Sequence, residues 1–250
     1  MSGHSKWATI KHKKGAADQK RGKLFAKLIR QVEVAARQGG GDPDMNPTLR
    51  TMFQKARDSS VPLDTIERAI KRGTGDLEGV IYESITYEGY APGGVAMLVE
   101  VLTDNRNRSG GDVRTILSKR GGSLAEPGAV AWQFERKGII LVDRKADEDE
   151  LMLAAIEAGA DDIVDDGEAW RVVTPATDLH TVRTALEEAG FTVESADLTM
   201  VAANLVPLPD VGSAKQVLAL IDALEDLDDV QDVFANFDLS DDIIAALEAE

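Results

Sequence analysis

The chain has 250 residues, no cysteine and a net charge of −16, from 28 Lys or Arg against 44 Asp or Glu. That length holds two or three small cores, and the lack of thiols excludes disulfides, thiolate zinc sites and cysteine nucleophiles. No apolar run reaches membrane-spanning length and neither a secretory h-region nor a myristoylation glycine stands at the start, so a cytoplasmic protein is expected.

The charge is segregated. Residues 1–75 hold 16 Lys or Arg and 7 acids, a balance of +9, whereas residues 76–250 carry −25. Nine cations against one acid, Asp18, fall within the first thirty residues. A basic head on an acidic body points to an anionic partner, nucleic acid foremost, because the body repels polyanions and the head must overcome that locally.

Ser2 to Gly22 has few large apolar residues and reads as an arm carrying His4, Ser5, Lys6, Trp7, Lys11, His12, Lys13 and Lys14. A helix follows. Leu24, Phe25, Leu28, Ile29, Val32 and Ala36 share one arc at helical spacing. Lys20, Lys23, Lys27, Arg30 and Arg37 take the opposite arc, and Arg21 adjoins them. A merely solvated face is the bland alternative; the contrast with the acidic remainder favours an anion-binding surface.

Gly39-Gly40-Gly41 and Asp42-Pro43 end that helix. Asn46-Pro47 has the form of an N-cap with proline in the first turn. Leu49, Met52, Phe53 and Ala56 carry the second helix to about Asp58. A third starts near Pro62, with Leu63, Ile66 and Ile70 inward and Lys71-Arg72-Gly73 at its end.

From Ile81 the period changes to two. Ile85 and Tyr87 alternate with polar neighbours, Ala91 to Gly94 turns, and Val95 to Thr103 is a buried strand. The loop Thr103–Gly111 presents Arg106 and Arg108 before a helix at 112–120. Two guanidinium forks beside free backbone N–H groups could hold one anion, or could pair with nearby acids. A strand is expected at 129–134.

The pattern then repeats itself: strand 138–143, helix 147–158, strand 162–164, a turn at 165–168, strand 169–174, a helix after Asp178, and strand 191–199. That βαββαβ order is the split-βαβ arrangement. A strand at 204–208, a helix capped by Ser213 and a strand near 230–234 complete the outer unit. The expected class is α+β: an N-terminal helical domain followed by two ferredoxin-like α/β domains, one inserted in the other. The expected boundaries are 1–79, 80–136 plus 204–240, the inserted 137–203, and an acidic tail at 241–250.

No catalytic constellation emerges. Gly3-His4-Ser5-Lys6-Trp7 lacks the second glycine and the preceding strand of a nucleophile elbow. Asp42 to Asn46 begins like a calcium loop, but Pro47 and Phe53 stand where glycine and glutamate are needed. Phosphate-cradling and dinucleotide fingerprints are missing. The expectation is no enzyme, metal or cofactor, no small-molecule substrate and no membrane partner.

Six strings in order, G-H-S-K-W-A-T-I-K-H-K-K, K-R-G-K-L-F-A-K-L-I-R, I-E-R-A-I-K-R-G-T-G, Y-E-G-Y-A-P-G-G-V, T-D-N-R-N-R and W-x-F-E-R-K-G, make the chain resemble the YebC/PmpR family from residue 2 to about 237. The resemblance implies a helical domain and two α/β domains. It also implies a DNA-binding regulator of transcription whose nucleic-acid contacts fall on the matching arm residues, His4 to Lys14. The family's mitochondrial translational activator of cytochrome oxidase, and a role proposed for bacterial members at ribosomes stalled on proline-rich stretches, imply an alternative. That is a ribosome-associated translation factor contacting rRNA or tRNA. A lysine-rich arm with Trp7, His4 and His12 suits phosphate contact and stacking in folded RNA better than the reading of base edges.

Overall fold

The computed structural model describes residues 18–248, with side chains from Gly22 to Leu247. Three helices open it: α1 (Asp18–Gly39), α2 (Pro47–Asp58) and α3 (Leu63–Thr74). α1 begins four residues before the end of the expected arm. Leu28, Val32, Ala35 and Ala36 of α1 meet Leu49 and Ala56 of α2 and Ile66 and Ala69 of α3 in one small core. Leu24 and Leu63, expected inside, are 39% and 43% exposed.

Asn46 joins two helices at once. Its Oδ1 accepts from the Leu49 N–H at 3.0 Å, capping α2, while its Nδ2 donates to the carbonyls of Ala35 and Gly40 at 2.9 Å. Free carbonyls at the end of one helix and free N–H groups at the start of the next are thus satisfied by one side chain. Gly73 does not end α3; Gly75, with φ +91°, takes that place in the left-handed region. The role of Gly73 is close approach: a Cβ there would press on the Glu33 carbonyl oxygen and lie 2.7 Å from Ala36 Cβ. Intrinsic helix propensity alone would make Gly73→Ala stabilising by about 1 kcal/mol. Because the obstacle is the backbone of α1, the substitution instead costs about 1–3 kcal/mol, measured as a lower urea midpoint.

An antiparallel sheet follows, built from β1 (Glu83–Tyr90), β2 (Ala96–Thr103), β3 (Ser123–Leu124) and β9 (Val230–Ala235) in the order β3-β1-β2-β9. Helices α4 (Arg106–Lys119) and α7 (Val211–Glu225) cover one face. Met97, Val99 and Val101 of β2 pack there with Val113, Leu117, Val217 and Leu224. β2 is buried on its other face as well, where Ala96 and Leu98 meet Phe134 and Phe234. A strand buried on both sides reads as a continuous apolar run, which is why it is so plain in the sequence.

The second sheet has the expected βαββαβ order: β4 (Phe134–Asp143), α5 (Glu148–Glu157), β5 (Asp162–Asp165), β6 (Ala169–Pro175), α6 (Leu179–Glu188) and β7 (Val193–Ala202). Its strands run antiparallel in the order β5-β6-β4-β7. A short parallel pair joins β8 (Val206–Pro207) to β10 (Phe237–Asp238).

Four expectations need correcting. Residues 129–134 are not a strand of the outer sheet; 131–133 form a single 3-10 turn and Phe134 already opens β4. The cause is Glu88, whose carboxylate accepts the N–H groups of Gly128, Val130 and Ala131 at 2.5, 2.7 and 2.8 Å, leaving them none to give a neighbouring strand. Residues 204–208 likewise stay out of that sheet and pair with β10. Nor is the end of the chain a free acidic tail: α8 (Asp241–Glu248) inserts Ile243 and Ile244 into the outer core, 8% and 5% exposed. α7 is capped by Asp210, whose carboxylate accepts from the Ser213 N–H at 2.7 Å, rather than by Ser213.

Candidate nucleic-acid interface

The arm residues His4, Ser5, Lys6, Trp7, Lys11, His12, Lys13 and Lys14 lie outside the described residues, as do the side chains of Lys20 and Arg21. What the structure does place is the other half of the basic stretch, and it places that half against the protein itself.

Lys23, Lys27 and Arg30 lie along α1 at i, i+4 and i+7, on the side away from its core. They face the C-terminal end of α7 and the acidic segment after it, Glu225-Asp226-Leu227-Asp228-Asp229. Lys23 Nζ donates to the Asp226 carbonyl at 3.1 Å and to its carboxylate at 3.3 Å. Lys27 Nζ donates to the Glu225 carbonyl at 2.7 Å. Arg30 donates to the Asp228 carbonyl at 2.6 Å, and lies 3.4 Å from both the Leu102 carbonyl and the Asp229 carboxylate. Its guanidinium also sits 5.3 Å from the Tyr82 ring centre. The final carbonyls of a helix carry partial negative charge, so cations are favoured there even before the carboxylates are counted. Burial pulls the Lys27 pKa below its ordinary value, partly countered by Glu225 and Asp232. Among the described residues, the cations on this side of α1 are therefore engaged by the protein's own acceptors. Arg37 is spent as well, on the carbonyls of Val80 and Arg72 and on Glu33.

The two internal arginines part company. α4 starts at Arg106, six residues earlier than expected, with Asn105 as its cap accepting from the Arg108 N–H at 3.1 Å. Arg108 forks to Asp104 and Asp229, each at 2.7 Å. Arg106 stays exposed. Asp229 also accepts from the hydroxyls of Ser109 and Thr103, at 2.7 and 3.0 Å. Burial would raise the Asp229 pKa, but these bonds outweigh it and hold the carboxyl below its usual range. Asp229 is thus the hub that fixes the start of α4 to the segment facing α1. Sequence reasoning missed it; the available signal was a run of four acids in five residues straight after an apolar helix, opposite in sign to α1.

Between these elements lies an open cleft of about 690 Å³, lined among others by Lys23, Arg30, Tyr82, Arg108, Asp226 and Asp229. Two further ion pairs tie the helices to the inserted unit: Lys55 to Asp197 of β7 at 3.0 Å and Asp58 to Arg183 of α6 at 2.7 Å. The apolar cluster of α1, α2 and α3 draws all its members from residues 25–70. Among the described residues, the helical unit's contacts with the sheets rest on charge and hydrogen bonds, not on a shared core.

Comparison with known proteins adds the wider context. A model described as the TACO1/YebC protein N-terminal domain matches residues 5–76, and one described as the TACO1/YebC second and third domain matches residues 82–237. A probable transcriptional regulatory protein of Rubrobacter xylanophilus is 60% identical, over 98% of each chain. One from Halothermothrix orenii, with the same description, is 55% identical over the whole of both. The crystal structure of a conserved hypothetical protein from Aquifex aeolicus superposes with a TM-score of 0.81 at 46% identity, covering 90% of this chain and 93% of that one.

Proposed function

The chain belongs to the TACO1/YebC family, and on that premise we propose that it is a non-enzymatic regulator of gene expression that binds the phosphate backbone of a nucleic acid through its N-terminal cations. The observation that carries this reading is the charge segregation, +9 over residues 1–75 against −25 over the remainder. The relatives' description as probable transcriptional regulatory proteins supports duplex DNA as the partner. Arm composition favours a second reading, contact with structured RNA on the ribosome: many lysines, one tryptophan and two histidines are suited to phosphates and stacking, not to base-edge forks.

Both readings require steep salt dependence. With about six phosphates neutralised, log K falls against log salt with a slope near −5 on duplex DNA and a shallower one on single strands. Fluorescence anisotropy across a salt series measures this, and affinity indifferent to salt would sink both. Gel shifts on promoter fragments against random duplexes, set beside co-sedimentation with ribosomes at one salt concentration, separate the two. A large preference among DNA sequences without ribosome association selects the first reading; the reverse outcome selects the second.

A further inference from the structure

We infer that the cation face of α1 is a second polyanion-binding surface, held shut by the chain's own acidic segment 225–229, so that a nucleic acid gripped by the arm opens it. The inference rests on the proposed function and deepens it.

Three observations carry it. The first is chemical likeness. Lys23, Lys27 and Arg30 are satisfied by carbonyl and carboxylate oxygens in a row, the kind of acceptor that consecutive phosphates offer. Over seven residues of helix the three cations span about 10 Å, reach enough for several phosphates.

The second is the nature of the contact. No apolar core joins α1 to α7 among the described residues, because the cluster of the helical unit closes on itself. Lys23 and Asp226 are 47% and 68% exposed, so water and salt already compete for that pair. An interface of this composition can be exchanged for another anion without unfolding either side.

The third is position. The arm precedes α1 directly in sequence, and Lys23, in the first two turns of α1, already meets Asp226, so a polyanion held by the arm has a short way to go to the 225–229 segment. Phosphates then contend with the segment's carbonyl and carboxylate oxygens for the same three cations at high local concentration. The cleft beside the contact leaves room for a strand to approach.

The absence of cysteine from the sequence makes the test clean. A Lys23→Cys, Asp226→Cys double variant is joined by a short, reductively cleavable bis-maleimide, which holds α1 on the segment. Both positions are exposed, and circular dichroism checks that the fold is kept. The probes are a labelled duplex DNA and a labelled structured RNA of matched length. The joined protein is expected to bind about tenfold more weakly than the same protein after cleavage, with a shallower salt slope, because the remaining α1 cations cannot engage. Equal affinity and slope before and after cleavage would overturn the latch while leaving the arm's role standing. Failure of the unsubstituted protein to bind either probe would overturn the proposed function together with the latch.

Discussion

Replacing Lys11, Lys13 and Lys14 by Glu is expected to abolish polyanion binding at physiological salt while leaving thermal unfolding of the two sheets unchanged. The reasoning is electrostatic. Each phosphate neutralised on duplex DNA contributes about 0.9 to the salt slope, so losing three contacts removes about 2.7 of it. Reversal adds repulsion to loss, and residues 76–250 already bear −25. A fall in affinity of about 100-fold or more follows at 0.15 M salt. Anisotropy titrations over a salt series read both quantities, and wild-type affinity in the triple variant would remove the arm from the site. Among the described residues the apolar cluster of the helical unit is assembled from residues 25–70, so the expected effect is on binding and not on unfolding.

The largest expected effect on stability falls at Glu88, remote from any cation discussed above. This buried carboxylate on β1 takes three backbone N–H groups, from Gly128, Val130 and Ala131. Burial pushes its pKa up, but the three donors more than offset that and hold it below the ordinary glutamate range. In Glu88→Gln one oxygen becomes an NH₂ facing N–H donors, which leaves at least one buried donor unpaired and removes the charge from the remainder. A loss of about 3–5 kcal/mol is expected at pH 7. The sign with pH is fixed. A carboxyl with a depressed folded pKa stabilises the fold above its unfolded pKa, near 4.3, and loses that contribution as pH falls through the lower folded value. The gap between wild type and variant should therefore narrow toward pH 3. Urea midpoints at pH 7 and pH 3 test it; a gap that stays constant would mean that the carboxylate's charge is irrelevant.

Much of the fold is legible in the sequence because single residues have single uses. Asn46-Pro47 announces a helix start and is one. The apolar run of β2 is a strand buried on both faces. The inserted unit's alternation of strand and helix survives into its sheet order. Legibility fails where a distant group redefines a local signal. Gly110-Gly111 looks like a turn, yet both residues are inside α4; a side chain at Gly110 would come within 3.0 Å of the Tyr87 hydroxyl. Gly73 imitates a helix stop because the backbone it must admit belongs to α1, 40 residues away in sequence at Glu33. The acids at the end read as a tail, but Ile243 and Ile244 are spaced to enter a core assembled from residues 91–239.

The site was less readable than the fold for a related reason. Charge segregation is a property of composition and is visible at once. Where each cation goes is a property of pairing, and Lys23, Lys27 and Arg30 find partners about 200 positions later. A helical wheel shows which face they share; it cannot show what that face meets.

The inserted sheet enters and leaves the molecule at one neck, since Phe134 and Ala202 stand directly opposite each other as the first and last paired residues of β4 and β7. Such a module could be cut out and its ends rejoined by a few residues without threading the chain anywhere new. The excision would not be silent, however. Met200 and Ala202 pack against the cluster that holds Leu98 and Phe234, so the trimmed protein would display a greasy patch where its guest had been. The guest thus covers an apolar face of the host that water would otherwise meet.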